Sequence, residues 1–244
     1  MIGGAGFVAG AAGAVTLGAV HPRAQIFGPT VCRTDRPEKL SITFDDGPNP
    51  AITPKLLGLL AKHNAKATFF HVGKYVRESP GLVKEIVQQG HAVGNHTDTH
   101  PNLIFCGPEG SHNELLRCSE SLAEITGEKP RWFRPPFGFR SPWLGGIAQR
   151  QGMRLAMWTL IPGDWRVVAL EKLIHNLNPI AEHTRNKLPP GTGYGGGRTG
   201  DIVCLHDGDY ARPNADRMHT VKALEHWLPR WRDLGLEFVT MDQA

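Results

Sequence analysis

The segment Ser41-Ile42-Thr43-Phe44-Asp45-Asp46-Gly47-Pro48 decides the fold of this chain. Ser41 to Phe44 is a short run suited to a strand, and Asp45-Asp46-Gly47-Pro48 then stops it at a turn. An acid pair placed where a strand ends sits at a rim. Alternation along a strand sends adjacent side chains to opposite faces, so the two carboxylates are expected to divide labour, one binding a metal and the other moving a proton.

Outward from this strand the pattern repeats. Thr53-Pro54 reads as an N-cap followed by proline at the first helical position, with leucines at 56, 57, 59 and 60. Further strands are predicted at 67–72, 92–95, 132–134, 155–159, 202–205 and 236–240, making seven. Helices are predicted at 82–89, closed by Gly90, and at 111–126, 144–151, 168–178 and 215–228. Strands alternating with helices through short connections imply parallel pairing and right-handed βα units.

Polar residues choose between an open sheet and a barrel. Asp45-Asp46, His96, Arg134, Asp164 and His206 all fall at or just past the ends of predicted strands. Chemistry drawn from several strand ends is what a (β/α) barrel provides, whereas an open sheet concentrates its site at one switch point. The expected fold is α/β, a distorted seven-stranded (β/α) barrel with the site at the C-terminal ends of the strands.

Composition sets bounds. The 244 residues, 40% hydrophobic with a net charge of +4, suffice for one large core. No basic patch with interleaved aromatics argues for nucleic acid, so none is expected as a partner. Cys32, Cys106, Cys118 and Cys204 form no paired zinc motif; Cys106 and Cys118 could close a short loop, or all four could be reduced thiols. Residues 1–20 are uncharged and apolar, suiting a membrane anchor, an export signal or a buried segment of the fold. The chain is accordingly divided into an apolar segment and lead-in, 1–38, and a main domain, 39–244, expected to be the catalytic one if the polar residues below form a site. The Gly/Pro-rich stretch 188–200 reads as a long loop, either a cleft wall or a surface excursion.

His96-Thr97-Asp98-Thr99-His100 places two imidazoles four residues apart after a strand. Fully extended, they would stand about 13 Å apart, too far to share an ion, so a metal site requires the segment to curl back. Two imidazoles and one carboxylate make a common zinc set with a fourth position left for water. Arg134, in Trp132-Phe133-Arg134-Pro135-Pro136-Phe137-Gly138, looks positioned to clamp a carboxylate bidentately, and a backbone N–H near Phe137 is free to face a bound oxygen. His206 suits a general acid whose other ring nitrogen is held by a carboxylate, for which Asp164 is the choice.

These motifs, in this order, closely resemble the polysaccharide deacetylase family (the NodB homology domain, carbohydrate esterase family 4) from about Lys39 to Met241. The resemblance implies that Asp45 is the catalytic base and that Asp46, His96 and His100 are metal ligands. It further implies that Arg134 pairs with the base, that the Phe137 N–H serves the oxyanion, and that His206 is the acid tuned by Asp164. Trp165 then matches an aromatic wall of the acetyl pocket, and Cys204 stands at the pocket floor, where the family usually has leucine. A second departure puts Ile161 where the family commonly carries an acid. The implied cofactor is one divalent ion, most simply Zn2+, with Co2+, Mn2+ or Ni2+ as alternatives. The implied activity is removal of N-acetyl groups from an amino-sugar polymer or oligosaccharide. Deformylation or deacetylation of an amino-sugar lipid and catalytically weak carbohydrate binding stand as the competing readings. The expected partner is an N-acetylated glycan or amino sugar, with membrane association through the N-terminal segment kept open. The expected location is the cell envelope, the periplasm or outside the cell.

Overall fold

The computed structural model describes residues 18–166, 169–186 and 199–244. The strands are β1 (Thr30–Val31), β2 (Lys39–Gly47), β3 (Ala67–His71), β4 (Ala92–Asn95), β5 (Trp132–Phe133), β6 (Arg154–Ala156), β7 (Asp201–His206) and β8 (Glu237–Phe238). The helices are α1 (Thr53–Lys62), α2 (Gly73–Glu78), α3 (Pro80–Gln88), α4 (Gly107–Thr126), α5 (Leu144–Arg150), α6 (Leu170–Asn186) and α7 (Met218–Asp233). All seven predicted strands are present. β1 and α2 were not anticipated, since two paired residues and a six-residue helix are too short to show a period.

Every named strand pair is parallel, in the order β1-β6-β5-β4-β3-β2-β7, and β8 lies beside the start of β2. The sheet curls until the chain beyond β6 meets β7 through a parallel bridge between Leu160 and Val203. This is the expected distorted barrel. Its seam is held by Thr159 and Leu160 N–H groups donating to the Ile202 carbonyl and by the Cys204 N–H donating to Leu160.

β2 shows how sequence alternation builds two environments. Leu40, Ile42 and Phe44 point outward into the main core, with Leu56, Leu57 and Leu60 of α1, Leu173 and Leu177 of α6, and Trp231 of α7. The intervening Ser41, Thr43 and Asp45 are also buried, but belong to no apolar cluster. Each fully buried Leu or Phe contributes about 1.5–3 kcal/mol, so this one strand fixes its own register: a one-residue slip would exchange its apolar and polar faces.

Three helix expectations need correction. Thr53 is the first residue of α1, not its cap; its hydroxyl donates to Asp207 Oδ2 at 2.5 Å instead. α6 and α7 were expected to stop at 178 and 228, just before Pro179 and Pro229, yet both run through the proline. A proline inside a helix removes one hydrogen bond and strains the preceding turn. The burial of Ile180, Ala181 and Trp231 beyond those prolines outweighs that cost.

The described part of the lead-in is joined to the barrel. β1 pairs with β6, and Arg140 donates to the Ala24 carbonyl at 2.6 Å and to that of His21. The expectation of an anchor or signal falls mostly on residues 1–17, and that of the loop at 188–200 mostly on 188–198, stretches that lie outside the described residues. No helix among the described residues is long and apolar enough to cross a membrane. All four cysteines are free, so Cys106 and Cys118 do not close a loop.

Candidate active site

A cavity of about 430 Å³ opens at the C-terminal ends of the strands, with Asp45, Asp46, His96, His100 and His206 in its wall. The expectation that the adjacent carboxylates face opposite ways is overturned by a bulge. Against β3, register skips from Asp45 to Gly47, and Asp46 takes a φ of 72°. The extra residue turns both carboxylates into one cavity. Glycine is required on either side of this turn. A Cβ on Gly47 would lie 2.3 Å from an Asp207 carboxylate oxygen, and one on Gly208 would lie 2.2 Å from the Asp46 carbonyl oxygen.

The histidine segment curls back as a shared ion requires. Thr97 and His100 adopt φ of 69° and 63°, and the His100 N–H donates to Thr97 Oγ1 at 3.0 Å. Glu114 on α4 accepts from the Asp98 and Thr99 N–H groups at 3.0 and 2.9 Å, and Arg77 binds Asp98 at 2.6 Å. Phe137 has a φ of 59°, so four of the five described non-glycine residues with positive φ sit in this site. Such backbone is costly for non-glycine residues and persists only where its surroundings hold it.

Asp46 Oδ1 lies 3.1 Å from His100 Nε2 and 3.4 Å from His96 Nε2. His96 Nδ1 must carry a proton, because it donates to the Arg134 carbonyl at 2.7 Å. That leaves its Nε2 as an electron-pair donor facing Asp46 Oδ1, a buried oxygen with no hydrogen-bond partner. The three residues can each direct one ligand atom to a common centre. This donor set fits a divalent cation. Burial disfavours charge on both Asp46 and His100. Closeness to His100 and His96 nonetheless holds the Asp46 carboxyl well below its usual range, while burial pushes His100 below its usual value.

Arg134 is fully buried inside the barrel, 4.2 Å from the centre of the Phe70 ring. Its grip on Asp45 is single rather than bidentate: Nη1 donates to Asp45 Oδ1 at 2.8 Å and to Thr43 Oγ1 at 2.7 Å. Nη2 is spent on the Met157 carbonyl at 3.1 Å. Asp45 Oδ2 faces His96 Nε2 at 3.9 Å and accepts from the Cys204 thiol at 3.3 Å.

Across the cavity, His206 ends β7 in register with Asp45. Its Nδ1 lies 2.9 Å from Asp164 Oδ1, while its own N–H and the Thr220 hydroxyl donate to Asp164 Oδ2 at 2.8 and 2.9 Å. Burial opposes the imidazolium charge, but the Asp164 carboxylate outweighs it and raises the His206 pKa to about 9. The next residue, Asp207, is fully buried and pushed up to about 7 by desolvation.

Trp165, 37% exposed, stands 5.4 Å from the His206 ring, and Ile161 lines the same cavity. Of the residues expected from the motifs, Asp45, Asp46, His96, His100, Phe137, Trp165 and His206 line the cavity, and Arg134, Asp164 and Cys204 stand behind them in contact with Asp45 or His206. Sequence reasoning missed Thr43, Tyr210, Arg217 and Thr220. Tyr210 stacks on His100 at 4.3 Å, while Arg217 binds the Gly208 and Trp165 carbonyls at 2.8 and 3.1 Å and Asp209 at 3.2 Å. Hydroxyls and a second arginine carry no motif of their own; only their closeness in the chain to His206 hinted at Tyr210, Arg217 and Thr220.

The family model for polysaccharide deacetylase matches residues 33–156. The chain belongs to the polysaccharide deacetylase family. It is 32% identical over 209 residues to a chitooligosaccharide deacetylase of Bradyrhizobium sp. (strain ANU 289), covering 83% of this chain and 88% of that one. It is 30% identical over 203 residues to a peptidoglycan-N-acetylglucosamine deacetylase of Bacillus cereus, covering 83% of this chain and 66% of the relative. Among solved structures, a peptidoglycan N-acetylglucosamine deacetylase in complex with 4-naphthalen-1-yl-N-oxidanyl-benzamide superposes with a TM-score of 0.74 at 28% identity. That match covers 87% of this chain and 90% of the other. As a polysaccharide deacetylase this chain is an enzyme of the amide-hydrolase type, in a family that depends on a metal.

Proposed function

We propose that this polysaccharide deacetylase removes N-acetyl groups from glucosamine-type units of a chitin-, peptidoglycan- or poly-N-acetylglucosamine-like glycan. The observation that carries the reading is the convergence, in one cavity, of three unlike devices. These are a cation-seeking triad, an arginine-held carboxylate and a carboxylate-held imidazole.

Asp46, His96 and His100 would hold the divalent ion, most simply Zn2+. Bound there, it supplies Lewis acidity toward the amide carbonyl and a water of lowered pKa. Asp45, with one oxygen fixed by Arg134, takes the proton of the attacking water. In the loop after Arg134, the Gly138 and Phe139 N–H groups are spent on the Pro135 and Pro136 carbonyls. The Phe137 N–H is the remaining donor, positioned to steady the oxyanion of the tetrahedral intermediate. His206, kept protonated by Asp164, gives its proton to the departing sugar amine, and acetate leaves. Trp165 and Ile161 form the wall against which the acetyl methyl packs, and Cys204 lies beneath it.

The names of the relatives support a glycan of the cell envelope or its surroundings as substrate, and so a periplasmic, envelope or secreted site of action. Residues 39–244 form the catalytic unit in this reading, with the lead-in as its support.

Acetate release is the test. Ion-free protein and protein reloaded with Zn2+, Co2+, Mn2+ or Ni2+ are assayed on chitooligosaccharides, acetylated peptidoglycan and a formylated amino-sugar lipid. Metal-dependent acetate release from the first two is expected. Formate release from the lipid alone would replace the substrate assignment. Saturable glycan binding without release under every ion would mark a binding protein.

A further inference from the structure

Cys204 makes a contact that the usual leucine could not. Its Sγ lies 3.3 Å from Asp45 Oδ2, the carboxylate oxygen that Arg134 does not hold. Thr43 pairs with Cys204, and Asp45 with His206, along the β2–β7 ladder, so Asp45, Cys204 and His206 rise from one face of two neighbouring strands. Asp45 and Cys204 are buried and His206 is partly buried, and one ligand atom from each lies within 4.8 Å of the others. The set offers oxygen, sulfur and nitrogen, a softer combination than the Asp46 triad. His206 Nδ1 is taken up by Asp164, which leaves Nε2 toward the cavity; a carboxylate behind an imidazole is the support that metal-binding histidines use. Asp45 and Asp164 supply negative charge, against Arg134 as the cation that touches Asp45.

The thiol has no evident role as a nucleophile. Burial and the neighbouring Asp45 charge raise its pKa well above the usual value, so without an ion it stays a thiol. Nor does its side chain reach solvent: Cys204 is 0% exposed and lies behind the cavity wall, which Asp45 and His206 help to form.

We propose that Asp45, Cys204 and His206 form a second cation site, selective for thiophilic divalent ions such as Cd2+ or excess Zn2+ or Co2+, whose filling stops turnover. Binding replaces the thiol proton, and the imidazole proton where present, with the ion, and those protons leave to solvent. The block follows because one ion engages base and acid together; that consequence rests on the proposed roles of Asp45 and His206, whereas the binding does not.

Ion-free protein titrated with Co2+ tests this directly, followed by absorption and by the cobalt content after equilibrium dialysis. The native chain is expected to take two ions and to develop a sulfur-to-cobalt charge-transfer band in the near ultraviolet. Cys204→Ser, similar in size and still able to donate to Asp45, is expected to take one ion and show no such band. Cys204→Leu provides a second variant, and melting followed by circular dichroism identifies which of the two is folded. Acetate release by the native enzyme should fall at least tenfold as the second ion binds, while the activity of the serine variant does not decline. One ion per native chain without the sulfur band would overturn the site, as would a band that survives in Cys204→Ser. Failure of the deacetylase reading would look different: no acetate release at one ion per chain, whatever the sulfur band does.

Discussion

His100 and His206 line the same cavity with the same side chain, yet their surroundings prepare them for opposite tasks. On the His100 side, Asp46 Oδ1 has no hydrogen-bond partner and two imidazole nitrogens beside it, and burial pushes His100 below its usual pKa. On the His206 side, both Asp164 oxygens are engaged by His206 and Thr220, and the imidazole holds its proton to about 9. One half is unfinished without a cation. The other is complete in protein atoms alone. A neutral imidazole serves as a ligand and a charged one as an acid, so the contrast in satisfaction is also a contrast in chemistry.

The comparison breaks most severely if the unfinished half is dismantled. His100→Ala or Asp46→Asn should abolish tight ion binding and bring acetate release to background. In the native chain an ion at a hundredfold excess over its Kd adds about 2.7 kcal/mol of stability. In a Cys204→Ser background, which removes the proposed second site, that gain should vanish in these variants and persist in His206→Ala, as thermal melts with and without chelator would reveal. Ion-dependent stabilisation of His100→Ala in that Cys204→Ser background would contradict the division.

Asp45 stands between the halves. Asp45→Ala should keep its ion, by elemental analysis, while kcat falls about 10²–10⁴-fold, the usual worth of a positioned base. Unimpaired acetate release would remove Asp45 from that role.

The complete half is sharpened by pH. His206 has its pKa raised in the folded chain to about 9, against roughly 6.5 for a free imidazole. A raised value means that the folded chain holds a proton the unfolded chain has lost. The resulting stability is full below about pH 6.5 and disappears as pH rises through 9. Urea unfolding of ion-free protein should therefore find Asp164→Asn weaker than the native chain at pH 6, with the gap narrowing by pH 9.5. The alkaline limb of kcat/KM should also move to lower pH in that variant.

The smallest effect is expected at Thr220. Replacing it with valine leaves Asp164 Oδ2 with the His206 N–H alone, a loss of about 1 kcal/mol or roughly fivefold in kcat/KM. A larger fall than Asp164→Asn itself produces would show that Thr220 does more than hold that carboxylate.

Much of this was legible in the chain because the residues proposed to do the chemistry lie at strand ends, where periodicity breaks and polar residues stand out. Asp45-Asp46, His96, His100, Arg134 and His206 announced themselves in that way. The bulge at Asp46 did not, because it depends on which neighbouring strand skips a residue, and pairing is not written in local pattern. α6 and α7 ran past Pro179 and Pro229 because tertiary burial outweighed a local breaker. Thr43, Arg217 and Thr220 remained hidden for a related reason: each acts only through a partner, from 8 to 91 positions away, that the fold brings to it.

The β2–β7 ladder carries one more lesson. Asp45 and His206 are register partners, and Asp45's carbonyl accepts from the Asp207 N–H at 3.2 Å. The span between the proposed proton acceptor and proton donor is thus set by the weave of the main chain and not by side-chain packing. Point substitutions can retune either group without changing how far apart they are mounted. A single-residue insertion or deletion within either strand, by contrast, would carry one of them to the far side of the sheet, making this gauge the part of the enzyme least open to gradual change.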